Sequence, residues 1–145
     1  MRTGELKQKK QALAKRMLLI ICIGIPVLAI VGFLISGPIR SHNKAQNDVN
    51  VLLQALSAYA SEQGELPHGS YTTLCQLLRG KSVDGQNAKR LEYIEAEGVD
   101  CNAKGEFIDP WENPYRISLE KRLRVYSCGP NGRDENGAGD DIVAK

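Results

Sequence analysis

The residues best suited to chemistry lie together at residues 127–142, SCGPNGRDENGAGDDI, a stretch rich in glycine and acidic side chains. Calcium takes about six to eight oxygen ligands from carboxylates and carbonyls, and glycines let the backbone turn its carbonyls towards an ion. Oxygen-bearing side chains of this kind are present at Asn131, Asp134, Asp140 and Asp141. The composition is therefore compatible with a calcium site.

The same stretch does not follow the EF-hand pattern. Counting from Asp134 puts Ala138 at the fifth ligand position and Lys145 where the bidentate Glu belongs. Composition alone favours a solvated polar end of the chain, because chain ends are commonly of this kind. The choice between a calcium loop and a solvated tail depends on the neighbouring motifs.

Three cysteines outside the first forty residues, Cys75, Cys101 and Cys128, could form one disulfide in an oxidising compartment. A pair of Cys101 with Cys128 would join the loop before a predicted hairpin to the start of the acidic stretch. Cys75 is nearly as good a partner, and three unpaired thiols are a further alternative. A zinc site is not expected, because no two cysteines have CxxC spacing.

Signatures of common catalytic sites are missing from the sequence. It contains no G-x-S-x-G elbow, no Walker loop and no H-E-x-x-H motif. We therefore expect no enzymatic activity, with a Cys/His nucleophile pair left open as the alternative.

The first 35 residues have the pattern of a membrane anchor. Residues 1–16 contain six Lys or Arg and one Glu, and the following residues 17–35 are uncharged. As a helix this apolar run would be about 28 Å long, close to the bilayer's hydrocarbon thickness of about 30 Å. The positive-inside rule places residues 1–16 in the cytoplasm and the rest of the chain outside. The net charge of +2 divides into about +5 on residues 1–16 and about −3 on the rest, so the chain is not a basic protein. We therefore expect a membrane partner and no nucleic acid.

Two alternatives to a retained anchor remain open. A cleaved signal peptide also begins with basic residues, but its apolar part is usually shorter, and Pro38 makes a poor cleavage site after the small residues 36 and 37. A buried helix of a soluble core is the other alternative, although Gly24, Pro26 and Gly32 are more typical of membrane spans.

After the apolar run, Gly37 and Pro38 predict a kink or short break, so we assign residues 36–44 to a linker. Ser41 is a candidate N-cap for a second stretch of helix. Apolar residues then recur at helical spacing as one stripe that ends at Gly64: Val49, Leu52, Leu53, Leu56, Tyr59 and Ala60. The stripe predicts an amphipathic helix that faces a core.

The remaining segments predict a small sheet. Tyr71, Leu74, Leu77 and Leu78 indicate a short helix that stops at Gly80, followed by a polar loop over 81–89, and residues 90–96 are too short to assign between helix and strand. Apolar residues alternate with polar ones over 115–119 and 123–127, with residues 120 and 121 as the turn, which predicts a β-hairpin. The expected class is α+β: a long N-terminal helix, half in the membrane, packed on a small antiparallel sheet.

The order of three motifs resembles that of a known family. These are DPWENPY at residues 109–115, SCGPNG at residues 127–132 and GDDI at residues 139–142. They resemble the D-P-W-G-N-P-Y, S-x-G-x-D-G and D-D-I motifs of the G-type, major pseudopilin of type II secretion systems, within the type IV pilin-like family. The helix that ends with Tyr59, Gly64 and Pro67 also fits.

The resemblance implies a pilin-like fold with a C-terminal loop folded around Ca²⁺. By position, Asp140 and Asp141 match the family's carboxylate ligands, and the carbonyls of Cys128 and Arg133 match its backbone ligands. Asn131 stands where the family has an Asp, so one charge is lost and calcium affinity should fall. Asp134 is a candidate for compensating that charge.

The resemblance further implies a single-pass protein of the bacterial inner membrane whose domain at residues 45–145 lies in the periplasm. In that family, subunits associate with one another and with other secretion-system subunits in a pseudopilus that drives protein export. We therefore expect a homo-oligomer.

Two departures from the family carry predictions of their own. Pilin-like precursors have a peptidase site and a glutamate early in the apolar run, whereas this chain has no Glu between Glu5 and Glu62. An alternative function is therefore a static, membrane-anchored binding module outside any filament. In addition, Glu112 replaces the Gly of the D-P-W-G turn, which predicts an altered turn because Glu rarely adopts a positive φ.

Overall fold

The computed structural model describes residues 25–95, 98–119 and 122–144, together with Lys15. These residues form two helices and three strands: α1 (Ile25–Gln63), α2 (Tyr71–Leu78), β1 (Arg116–Ser118), β2 (Arg124–Ser127) and β3 (Ile142–Val143). The chain divides into two compact units, Met1–Ile39 and Arg40–Lys145. The second unit combines helix with an antiparallel sheet, so the predicted α+β class is confirmed and agrees with a pilin-like fold.

The amphipathic stripe of α1 forms the spine of the second unit. It buries Val49, Leu52, Leu56 and Tyr59 almost completely, whereas Leu53 and Ala60 are half-buried. The helix ends at Gln63, where Gly64 has φ +85° and its N–H donates to the Ala60 carbonyl over 2.9 Å. A left-handed residue at this position satisfies a terminal carbonyl, and glycine adopts it without a steric penalty. The predicted stripe and its end are confirmed.

The short break predicted at residues 36–44 is not observed, because the helical pattern of α1 includes Pro38 and Ser41, whereas the alternative, a kink, stays a prediction. Ser41 is therefore not an N-cap. A proline removes one helical hydrogen bond, whereas ending one helix and starting another would require a new and costly nucleus. Continuing the helix through Pro38 is the less costly solution.

Much of the predicted membrane anchor lies outside the described residues, which omit residues 17–24 and, apart from Lys15, residues 1–16. In the part of the chain that the structure describes, no helix is both long and apolar enough to cross a bilayer.

Helix α2 begins and ends as its sequence predicts. Ser70 is the N-cap, and its hydroxyl accepts a hydrogen bond from the Thr73 N–H over 3.1 Å. The buried face of α2 consists of Leu74, Cys75, Leu77 and Leu78. The predicted helix over residues 71–78 is thereby confirmed, and it joins the same core as α1.

The sheet has the order β1-β2-β3, with both pairs antiparallel. Ile117 lies opposite Val125 in the predicted hairpin, which is confirmed. Residues 120 and 121, predicted as its turn, lie outside the described residues. The third strand pairs Ile142 with Ser127. The sequence does not indicate it as a strand, because two residues are too few to show an alternation.

A buried polar contact joins the sheet side of the domain to α1. The Tyr115 hydroxyl donates to Asp48 Oδ2 over 3.0 Å, and Lys44 Nζ lies 2.9 Å from the same oxygen. Burial, followed by the charge of Asp48, raises the pKa of Tyr115, so its hydroxyl remains a proton donor at neutral pH. The buried Asp48 carboxylate is thus paired, which a charge in a core requires.

Irregular chain connects α2 to the sheet. In the predicted polar loop, the buried Asn87 side chain donates to the carbonyls of Leu77 and Leu91 over 3.0 and 2.9 Å, and its oxygen accepts from the Leu91 N–H. The unassigned residues 90–95 form no named strand, although Ile94 is buried. Residue 96 lies outside the described residues.

Candidate functional site

The acidic, glycine-rich stretch is a loop, residues 128–141, between two paired strands. Strand β2 leads into it and β3 leads out of it, with Ser127 opposite Ile142 and Tyr126 opposite Val143. Antiparallel pairing therefore holds the two ends of the loop side by side. The stretch is part of the sheet's topology, which argues against a frayed tail.

Asp140 and Asn131 contact each other across the loop. Asp140 Oδ2 accepts from the Asn131 N–H over 3.1 Å, and Asp140 Oδ1 makes a very short contact with Asn131 Nδ2. The Asn131 side-chain oxygen accepts from the Arg133 N–H over 2.5 Å. This last contact fixes the amide so that a donor, not an oxygen, faces Asp140.

Asp141, the next residue, has one carboxylate oxygen without a hydrogen-bond partner among the described residues. Asp141 Oδ2 accepts from the N–H groups of Glu135 and Gly137 over 3.0 and 2.7 Å. Its Oδ1 is buried and has no hydrogen-bond partner among the described residues. A buried carboxylate oxygen without a partner is unfavourable, and a cation is the kind of group that would satisfy it.

Gly129 allows Asp140 to approach the start of the loop. Gly129 has φ +63°, and a Cβ built there would lie 2.9 Å from Asp140 Oδ2 and clash with the Asp140 carbonyl. Any other residue would therefore be strained and would displace Asp140. The absence of a side chain at Gly129 therefore allows the two ends of the loop to lie close together.

Asp134 is engaged elsewhere. Its Oδ1 accepts from the Tyr126 hydroxyl and from the Asn136 N–H, both over 3.0 Å, and its Oδ2 lies 3.4 Å from Arg116 Nε. The hydrogen bonds from Asn136 and Tyr126 hold the pKa of Asp134 below its usual value. Asp134 therefore ties the loop to β1 and β2, whereas Asp140 and Asp141 form hydrogen bonds with other residues of the loop.

The remaining predicted ligands flank these residues. Cys128 is buried directly after β2, and Arg133 is exposed in the middle of the loop. The ligand roles predicted for their carbonyl groups stay predictions. Among the described residues, no three His, Cys, Asp or Glu side chains converge as a metal-binding group. The loop offers the carboxylates of Glu135, Asp140 and Asp141 in addition to Asp134, together with backbone carbonyl oxygens, and Glu135 accepts from the Asp140 N–H over 3.1 Å.

The DPWENPY and SCGPNG motifs contact each other through a buried hydrogen-bond network that the sequence does not predict. Ser127 Oγ donates to Asp109 Oδ2 over 2.6 Å, and the Gly129 N–H donates to Ser127 Oγ over 2.9 Å. Asp109 Oδ1 accepts from the N–H groups of Trp111 and Asn113 over 3.0 and 2.9 Å. Asp109 therefore fixes its own turn and the start of the acidic loop. The signal in the sequence is that both motifs match those of the family that the chain resembles.

The altered turn expected at Glu112 is not observed. Glu112 has φ +68°, so it keeps the left-handed conformation that the family's glycine would adopt. The Glu112 N–H donates to the Asp109 carbonyl over 2.9 Å, and the Asp109 N–H donates to the Asn113 carbonyl over 2.9 Å. These contacts, together with those of the Asp109 side chain, hold a non-glycine residue in an unfavourable conformation.

Replacing Glu112 with Gly should therefore stabilise the protein by about 0.5–1 kcal/mol. The left-handed penalty of about 1–2 kcal/mol is removed, and the greater freedom of glycine in the unfolded chain offsets part of the gain. Glu112→Ala is the matched control, because it shortens the side chain without relieving the backbone. Urea unfolding of the three proteins measures the difference, and an equal gain in the alanine variant would contradict a backbone origin.

The structure brings two of the three candidate disulfide cysteines together. Cys75 Sγ on α2 lies 2.9 Å from Cys101 Sγ, whereas Cys128 is buried at the start of the acidic loop. All three have free thiols in the structure.

Comparison with known proteins assigns the chain to a family. The family model described as type II secretion system (T2SS), protein G matches residues 40–145, which is the whole second compact unit. Searches of curated proteins and of solved structures returned no match. The match covers the long amphipathic part of α1, the sheet and the loop with its two joined motifs. The chain therefore belongs to the family of type II secretion system protein G, the major pseudopilin.

Proposed function

We propose that the chain is a structural, non-enzymatic subunit of a bacterial type II secretion system. Residues 17–35 would anchor it in the inner membrane, residues 1–16 would lie in the cytoplasm, and residues 45–145 would lie in the periplasm. There it would join copies of itself and other pseudopilins in a pseudopilus that drives protein export. The observation that carries this proposal is the family match over residues 40–145.

We propose further that the loop at residues 128–141 binds Ca²⁺. Asp140 and Asp141 would supply carboxylate oxygens, and the carbonyls of Cys128 and Arg133 would supply backbone oxygens. A bound calcium ion would neutralise the two neighbouring carboxylates and cross-link the two ends of the loop. The buried, unpartnered Oδ1 of Asp141 supports this proposal, since the rest of that carboxylate is already hydrogen-bonded.

Asn131 should lower the affinity of the proposed site for calcium. Its amide nitrogen faces Asp140, and its oxygen is held by the Arg133 N–H. The amide therefore stabilises the Asp140 carboxylate by hydrogen bonding, which the family's Asp at this position would not do. We expect weaker calcium binding than in a loop with Asp at this position, together with a loop that is partly held without the ion.

A second candidate function is a static membrane-anchored module outside any filament. It is favoured by the missing glutamate in the apolar run and by the run's opening Lys15-Arg16-Met17, which lacks the family's peptidase site. Both candidates use the same domain and the same anchor. They differ in whether copies of the chain contact one another in the membrane.

Cross-linking of the full chain in membranes separates the two functions. An assembled pseudopilus predicts a ladder of species at multiples of the monomer mass when cells that secrete through the system are treated with a short amine cross-linker. Membranes solubilised and diluted before cross-linking are the control, and they should give the monomer. Monomer alone in intact membranes, with an intact mass of the unshortened 15.9 kDa chain, would contradict the filament proposal and support the static module.

A further inference from the structure

Cys75 and Cys101 are positioned to react with each other. Their Sγ atoms lie 2.9 Å apart, within 1 Å of the roughly 2.05 Å length of a disulfide bond. The two residues are 26 positions apart in the chain, so local sequence does not explain the contact. Tertiary packing alone brings these thiols together.

Several contacts hold Cys101 against α2 independently of the sulfur atoms. The Thr72 hydroxyl donates to the Lys104 carbonyl over 3.0 Å, and Arg79 Nη2 donates to the Val99 carbonyl over 2.6 Å. The Arg79 guanidinium also lies 5.7 Å from the centre of the Phe107 ring. The segment that carries Cys101 is therefore docked on α2 on both sides of the cysteine, so the two thiols meet in a defined position.

The chain between the two cysteines has few regular hydrogen bonds. After α2 ends at Leu78, the described residues up to β1 contain isolated bridges, such as Arg79 with Glu92 and Cys101 with Phe107, rather than named strands. Small exported domains commonly compensate for limited cores with disulfides. A covalent link here would close this irregular segment onto a helix.

We propose that Cys75 and Cys101 form a structural disulfide in the mature protein, and that Cys128 remains a free, buried thiol. The inference rests on the proposed periplasmic location for its oxidising environment, but the pairing itself rests on the geometry. The oxidant would be a small or protein-borne disulfide of that compartment.

The reaction proceeds by two thiol–disulfide exchanges. In the folding chain the thiolate of Cys101, which stays the more exposed of the two cysteines in the folded protein, attacks one sulfur of the oxidant, breaks its disulfide and releases the first oxidant thiol. Cys75 then attacks the Cys101 sulfur of the mixed disulfide and releases the second oxidant thiol. The two cysteines lose two protons and two electrons, and the oxidant's disulfide becomes two thiols.

Burial, followed by the hydrogen bond with Cys75, raises the pKa of Cys101 to about 12 in the folded, reduced protein. Because the thiolate is the attacking species, the folded protein should be oxidised slowly at neutral pH. Formation of the bond should therefore be fastest while the exported chain is folding.

Counting free thiols in the full chain tests the pairing. Cells are quenched with acid, the chain is denatured, and free thiols are tagged with a maleimide polymer that retards the chain on a gel. The chain has four cysteines, including Cys22 in the apolar run, so we expect two tags without reductant and four after reduction. The same count applies to purified protein equilibrated with oxidised glutathione, which tests the geometry apart from the compartment.

Single variants identify the partners. Cys75→Ser and Cys101→Ser should each give three tags with or without reductant. Cys128→Ser is the matched control and should give one tag without reductant and three with it. The proposal would be overturned if Cys128→Ser gave the same number of tags with and without reductant, or if the purified oxidised protein gave four tags. Two tags in the purified protein but four in cells would support the pairing and count against the proposed periplasmic location.

A stability measurement on the unaltered chain covers the case in which a serine variant fails to fold. Closing a loop of this length should raise the thermal midpoint of the oxidised protein by roughly 10 °C over the reduced protein. Equal midpoints in protein shown to contain the bond would contradict its structural role.

Discussion

Replacing Asp109 with Ala is expected to lower the free energy of unfolding by about 3–5 kcal/mol. The buried carboxylate accepts from the backbone N–H groups of Trp111 and Asn113 and from the Ser127 hydroxyl, so three donors lose their partner in one substitution. Each buried donor left unpaired costs about 1–3 kcal/mol. The effect should also reach the acidic loop, because Ser127 in turn accepts from the Gly129 N–H.

Urea unfolding followed by the fluorescence of Trp111, the single tryptophan, measures this loss. Ser127→Ala is the matched control: it removes one of the three hydrogen bonds to Asp109, together with the bond from the Gly129 N–H, and should cost about half as much. Asp109→Asn should fall between the two, because an amide oxygen can still accept from the turn. A loss below 1 kcal/mol in Asp109→Ala would mean that the network does not connect the two motifs energetically.

The elements that could be predicted from sequence are those whose pattern is complete within one segment. The apolar stripe that includes Val49 and Leu56, and the alternation around Ile117 and Val125, each report a periodicity that does not depend on distant residues. The two-residue strand β3 is too short for such a pattern. The break expected at Pro38 is absent because α1 continues through this residue. Starting a new helix would cost more free energy than the one hydrogen bond that the proline removes, and a rule based only on local steric clashes does not include that cost.

The candidate site was predictable in its residues but not in its contacts. Asp140 and Asp141 stand at the loop's end in sequence and in the structure, whereas the direction of the Asn131 amide depends on the Arg133 N–H. The contact between Asp109 and Ser127 spans 18 positions, and that between Cys75 and Cys101 spans 26. Such pairings are products of tertiary packing, which composition and spacing do not encode.

Calcium is expected to stabilise the folded chain by about 2.7 kcal/mol when its free concentration is 100 times the dissociation constant. The gain should depend on Asp140 and Asp141, because the first contacts the start of the loop and the second carries the unpaired buried oxygen. A chain with both Asp140→Ala and Asp141→Ala should be less stable and insensitive to the ion. Equal melting of this variant and the parent chain under both conditions would contradict a calcium role for these residues.

Asn131→Asp is the most informative single variant, because its expected effect on the thermal midpoint has opposite signs with and without calcium. In excess chelator it should lower the thermal midpoint, since a second carboxylate replaces the amide donor that contacts Asp140. In millimolar calcium it should raise the midpoint above that of the parent chain, since an added charge favours the ion. A lower midpoint in both conditions would indicate that residue 131 does not face a cation.

Calcium binding by the loop is tested by thermal unfolding of the full chain, in mild detergent, in millimolar calcium and again in excess chelator. We expect a midpoint several degrees higher in calcium for the parent chain, a larger calcium effect in Asn131→Asp, and none in the Asp140→Ala, Asp141→Ala double variant. A midpoint that is the same in calcium and in chelator for both the parent chain and Asn131→Asp would rule out a calcium site in this loop. The loop at residues 128–141 would then be closed by its own hydrogen bonds alone.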